Sequence, residues 1–241
     1  MPELKSRVKH YLKFSKSELR DIIVIAVAMA VILGFDDGRE SFSLLPWTFN
    51  LLNCFLISLL ALIVFMLPIK LLAIAKGYIV EFRQYLWGFV GGILIGLASI
   101  GKLVLFNPFE LIFTHHEGLR LGRFRYGLNY FEMAVISIMG PLANLLLAVL
   151  FKLVYSVHPS FAVLNAIRLN VMFAIATLLP IPKTAGSYVF FGGRTLFVFV
   201  FTLVFGLGIA LLFLSFWPSL LIGLGFCLLL TIIYFVAVEY S

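Results

Sequence analysis

The chain has 241 residues, of which 63% are apolar and 12% charged, with a formal net charge of +7. A soluble domain of this size interrupts its core positions with polar surface every few residues. Here several runs approach or exceed the ~20 apolar residues that cross a bilayer, which excludes a separate soluble domain and makes lipid the expected solvent.

The basic excess does not describe a nucleic-acid surface, since no water-facing basic patch is evident. Six basic residues (Lys5, Arg7, Lys9, Lys13, Lys16, Arg20) instead precede the apolar run 22–35. That is the placement of a cytoplasmic flank. Residues 1–20 also carry Val8, Tyr11, Leu12 and Leu19 at helical spacing, so they form a basic amphipathic segment suited to an anionic membrane surface. No convincing small-residue cleavage site follows residue 35, and the first run reads as an uncleaved span. Cys54 and Cys227 sit inside apolar runs, where a thiol behaves as a small hydrophobe.

In chain order, six spans are expected at about 20–35, 44–68, 130–156, 160–181, 195–215 and 218–239. Between the second and third lies 86–106, an apolar segment broken by Gly88, Gly91, Gly92, Gly96 and Gly101. Basic residues flank both its ends, Lys76 and Arg83 before it and Arg120, Arg123 and Arg125 after it. The charge rule therefore favours a re-entrant segment entering and leaving on one side, with an ordinary seventh helix as the alternative. Residues 119–126 alternate at a period of two and predict a short surface strand or hairpin. Residues 186–193 fit a short apolar re-entrant loop, and Pro68 is expected to kink the second span. The fold class is thus all-α and polytopic, a single transmembrane domain over 21–241. With an even number of crossings both termini fall in the cytoplasm.

Lys70 and Lys183 lie near expected cytoplasmic ends and should extend their ammonium groups to the interface. Arg168 sits deeper and has no evident partner. His115, His116 and Glu117 are the only dense run of metal-donor types, but adjacent side chains diverge, so a polar turn is the expectation.

Two motifs stand out: Gly140-Pro141-Leu142-Ala143-Asn144 in the third span, and the segment from Asn170 through Thr177-Leu178-Leu179-Pro180-Ile181-Pro182-Lys183-Thr184-Ala185-Gly186. Together they resemble the site-2 proteases, intramembrane zinc metalloproteases in which a G-P-x-x-N helix precedes one ending N-L-L-P-I-P-x-x-D-G. Ala73-Ile74-Ala75-Lys76-Gly77-Tyr78 resembles the end of that family's H-E-x-x-H helix. Residues 78–83 and 115–127 are similar to an archaeal-type subgroup, so the likeness covers about 50–195. It implies a prokaryotic plasma-membrane protein and, for the family, a zinc cofactor.

The likeness fails where the chemistry would reside. Counting back from Gly77 puts Phe65 and Ile69 at the two histidine positions and Met66 at the glutamate, and Ala185 stands at the aspartate. Catalytic zinc needs nitrogen and oxygen donors with a water in the fourth corner, and a carboxylate to take that water's proton. Phe, Met, Ile and Ala supply none of these, so no metal ligand, catalytic residue or cofactor is expected. The resemblance puts Asn144, Asn170, Thr177, Thr184 and Ser137 near the vacated site. Asn144, Asn170, Thr177, Pro180, Pro182 and Thr184 are the candidate lining of a groove, with polar bonding between helices as the structural alternative. The expected function is a non-catalytic protein that binds lipid and a membrane partner or helix. The alternatives are an active metalloprotease with unrecognised ligands, and a transporter or channel.

Overall fold

The computed structural model describes residues 2–35, 39, 43–115 and 128–239. The helices are α1 (Pro2–Tyr11), α2 (Lys16–Leu33), α3 (Leu44–Lys76), α4 (Leu86–Ala98), α5 (Tyr130–Ser137), α6 (Met139–Val157), α7 (Phe161–Thr177), α8 (Ala185–Gly192), α9 (Arg194–Phe213) and α10 (Phe216–Tyr234). A π-helical turn, Phe235–Glu239, continues α10. Two strands, β1 (Tyr78–Gln84) and β2 (Phe109–His115), form one antiparallel pair. Among the described residues, four helical segments are long and apolar enough to cross a membrane: Leu44–Lys76, Tyr130–Val157, Arg194–Phe213 and Phe216–Val238. α7 is apolar but has 17 residues. α2 carries Lys16, Glu18, Arg20 and Asp21 in its first two turns.

α2 begins where the sequence supplies a reciprocal cap. Ser15 Oγ accepts the Glu18 N–H at 3.1 Å, and Glu18 Oε2 accepts the Ser15 N–H at 2.8 Å. The same carboxylate does more than cap. Its Oε1 lies 2.8 Å from Lys70 Nζ of α3 and accepts the Phe82 N–H of β1 at 3.0 Å. Lys70 also donates to the Lys13 carbonyl at 3.2 Å and sits over the Phe14 ring at 4.9 Å. Both charged side chains are buried. Lys70 therefore does not reach outward as its sequence position suggests: a carboxylate, a carbonyl and an aromatic face meet it inside. Lys183, by contrast, is exposed, 3.6 Å from Glu110.

α3 runs 33 residues, past the expected end at 68 and through Pro68, to Gly77. Gly77 takes a left-handed φ of 83° and its N–H closes on the Ala73 and Ile74 carbonyls. Only glycine adopts that conformation without penalty, and it turns the chain straight from helix into β1. In β1, Tyr78, Val80 and Phe82 point inward; in β2, Phe109, Leu111 and Phe113 do so. The strand expected at 119–126 lies outside the described residues, as do His116 and Glu117.

The Gly-rich segment forms an out-and-back element. Tyr85 N–H donates to the Pro108 carbonyl at 2.7 Å, so its two ends meet at one end of the sheet. The 13 residues of α4 rise ~20 Å, and the seven of the extended return at 102–108 span ~23 Å, so the arms match in length. Gly101, with φ 73°, makes the reversal. Its glycines permit close packing: a Cβ on Gly88 would lie 1.9 Å from the Asn107 carbonyl oxygen, and one on Gly92 2.7 Å from the Phe106 ring.

The third expected span is two helices broken at Ile138. Pro141 has no N–H for the Ser137 carbonyl, which accounts for the break there. The loop expected at 186–193 is instead the two-turn helix α8. Its first turn packs so tightly that a Cβ on Gly186 would meet the Leu179 carbonyl oxygen at 2.2 Å.

Two outcomes follow for stability, read as thermal unfolding in detergent. Lys70→Ala leaves the Glu18 carboxylate buried without its cation and should cost about 3–5 kcal/mol, whereas Glu18→Gln with Lys70→Met should recover most of that loss. Gly88→Ala should destabilise by about 1–3 kcal/mol through the Asn107 clash. Gly91→Ala, whose Cβ meets nothing within 4 Å, should be neutral or stabilise by about 0.5–1 kcal/mol.

Candidate functional site

On α3, Phe65 and Ile69 share one helical face, with Met66 beside them. The start of α6 crosses that face closely: a Cβ on Gly140 would lie 2.6 Å from two Phe65 ring carbons and 2.8 Å from Ile69 Cδ1. The absence of a side chain at Gly140 is what lets the two helices approach. The turn after α7 delivers Ala185 at the first position of α8. Phe65, Met66, Ile69 and Ala185 are each no more than 1% exposed and belong to one continuous apolar cluster with Ala73, Phe82, Phe109 and Phe173.

Phe65 is the hub of this cluster. Its ring lies 5.2 Å from Phe173 of α7, 6.2 Å from Phe82 of β1 and 6.4 Å, stacked, from Phe109 of β2. Phe82 and Phe109 meet edge-on at 5.6 Å. Each such ring pair adds about 0.5–1.5 kcal/mol beyond the area it buries. The sheet thus contributes two rings to the space that α3, α6, α7 and α8 enclose.

These side chains do not fit zinc. Hydrocarbon offers no lone pair, and the Met66 thioether is a soft donor with no companion. Among the described residues, no three His, Cys, Asp or Glu side chains gather in one place. His115 ends β2 with its ring 5.3 Å from Tyr78.

The polar residues near this core divide between interior and surface. Asn144 is fully enclosed, and neither its Oδ1 nor its Nδ2 has a partner among the described residues. Asn170 donates to the Ala166 carbonyl at 2.8 Å while its Oδ1 is unpartnered. Thr177 shares its hydroxyl proton between the Phe173 and Ala174 carbonyls at 2.9 and 3.1 Å. Thr184 donates to the Ile181 carbonyl at 2.8 Å. Ser137 is buried with its Oγ unpartnered, whereas Pro180 and Pro182 face outward. Arg168 is half-buried on α7.

The edges of the small sheet are partly occupied. Glu18 takes the Phe82 N–H, the Lys183 carbonyl takes the Leu111 N–H at 2.8 Å, and Tyr188 Oη donates to the Leu111 carbonyl at 2.8 Å. An incoming strand would have to displace these bonds.

Sequence reasoning passed over three interior groups. Glu18 was legible as the fourth residue of Ser15-x-x-Glu18 before an apolar run, the signature of a capping box. Ser58 carried a fainter signal, since Asn50, Cys54 and Ser58 recur every four residues on α3, whereas Asn165 on α7 belongs to no such stripe.

Truncating the hub should be costly. Phe65→Ala should lower stability by about 3–5 kcal/mol in equilibrium unfolding, and Phe65→Leu by distinctly less, since it leaves a smaller void. Comparison with protein-family models, with curated proteins and with solved structures finds no match to this chain.

Proposed function

We propose that this chain is a non-catalytic relative of the site-2 proteases: a multi-pass membrane protein that binds a membrane partner and does not cleave it. One observation carries this reading. Ala185, far along the chain, falls in the same enclosed cluster as the helical neighbours Phe65, Met66 and Ile69, and all four are chemically unable to hold a hydrolytic cation. The close seat of Gly140 against Phe65 and Ile69 supports the likeness further, because it sets the G-P-x-x-N helix against the helix that carries H-E-x-x-H in that family.

Six crossings are proposed, by α2, α3, α5 with α6, α7, α9 and α10. The α4 hairpin enters and leaves on one side, a reading supported by the Tyr85–Pro108 bond at its base. The basic residues of 1–20 then assign both termini to the cytoplasm of a prokaryotic cell. Binding a transmembrane helix or an unwound segment needs shape and backbone bonding and no metal, so loss of the ligands removes hydrolysis and spares recognition.

The test is metal and peptidase analysis of the purified native chain in lipid nanodiscs. The expected result is no stoichiometric zinc after dialysis and no cleavage of helical membrane substrates. Tightly held zinc together with cleavage that a chelator abolishes would overturn the reading.

A further inference from the structure

We propose that the seam between α3, α6 and α7 is a hydrated shaft, open at the end of the bundle where α6 turns into α7 and closed at the Phe65 layer. The argument begins with spacing. Asn50, Cys54 and Ser58 recur every four residues and so form one stripe on α3, and Cys54 and Ser58 are buried. α7 contributes Asn165 and Asn170, both enclosed, and α6 contributes Asn144. Cys54 Sγ donates to Asn50 Oδ1 at 3.8 Å, and the Asn165 side chain lies beside it.

Two packing contacts fix the heights. Phe65 meets Phe173, and Gly140 seats on Phe65, so these three residues define a floor. At 1.5 Å per residue, Asn170 lies ~4.5 Å above it, Asn144 ~6 Å, Ser58 ~10 Å, Asn165 ~12 Å and Cys54 ~16 Å. Beyond them a cavity of about 380 Å³ lies between the first turns of α3 and α7, lined by Asn50 and Asn53 together with Phe161 and Ala162. Asn50 belongs both to this mouth and to the stripe.

The chemistry of the orphaned atoms selects the occupant. Ser58 Oγ, Asn144 Oδ1 and Nδ2, Asn165 Nδ2 and Asn170 Oδ1 are buried with no partner among the described residues. Each would cost about 1–3 kcal/mol if left dry, and together they would rival the whole stability of a domain. A cation could satisfy the oxygens but not the two amide nitrogens, an anion only the donors, and an apolar guest none. Water donates and accepts, and a buried water typically makes two to four such bonds. The floor is apolar on every side, so the column ends there.

The test uses the native Cys54 thiol as the probe and Cys227, buried against α9 near Thr202 and the Phe199 carbonyl, as the dry reference. Single-cysteine chains, Cys227→Ser and Cys54→Ala, are transferred to D2O and the S–H infrared band is followed. Cys54 should convert to S–D at least tenfold faster than Cys227; equal rates would overturn the shaft. Asn144→Leu gives a second readout. In a hydrated seam it removes bonds that water makes and lowers the thermal midpoint, whereas a rise in midpoint would mean that the seam is dry.

Discussion

Every polar group enclosed in this molecule has to be met from within, because lipid around a bundle offers no hydrogen bonds. The Glu18 carboxylate shows how far that constraint organises the fold. One side chain caps α2, neutralises Lys70 of α3 and takes the spare N–H of Phe82 in β1. The pair is costly to bury and costly to break, so its worth lies in fixing how three elements sit together and not in net stability. The sheet obeys the same rule, since the N–H groups of Phe82 and Leu111 that face away from the strand partner are taken up by neighbouring segments.

With α2, α3 and the sheet locked at that end, the inner faces of β1 and β2 carry Phe82 and Phe109 to Phe65. Gly140 lets α6 close over the same point, and α7 adds Phe173. The result is a dry aromatic layer on one side and, on the other, a seam of amides and hydroxyls without protein partners. The boundary between the two falls between Phe65 and Ser58, about two helical turns along a single helix.

Helices were the most legible feature, because apolar length in a bilayer leaves few alternatives. The starts of α3, α5, α7 and α9 fall within one residue of the expected ones. Their ends were harder: α3 runs eight residues past 68 because the apolar pattern continues to Gly77, whose left-handed turn stops it. The strands escaped notice although inward and outward positions alternate along Tyr78-Ile79-Val80-Glu81-Phe82 and Phe109-Glu110-Leu111-Ile112-Phe113, since their partners are 25 residues apart even at the nearest pair, Gln84 and Phe109, and pairing is not a local property. At the site, the motif count gave Phe65, Ile69 and Ala185 as places to examine. What fills the space around them was invisible in the sequence, because Phe82, Phe109 and Phe173 arrive from three separate elements. Lys70 was misjudged for a related reason: position along a helix suggested its depth, but its partner came from α2.

The proposed kinship with the site-2 proteases requires that Phe65, Ile69 and Ala185, gathered in this apolar cluster, occupy positions from which donor side chains could share one metal ion. Installing those donors with Phe65→His, Ile69→His and Ala185→Asp in one chain tests it most directly. The account predicts a folded protein that retains stoichiometric zinc through dialysis, with X-ray absorption showing nitrogen and oxygen ligands at ~2.0–2.2 Å. A folded triple variant that holds zinc no more tightly than the native chain would contradict it.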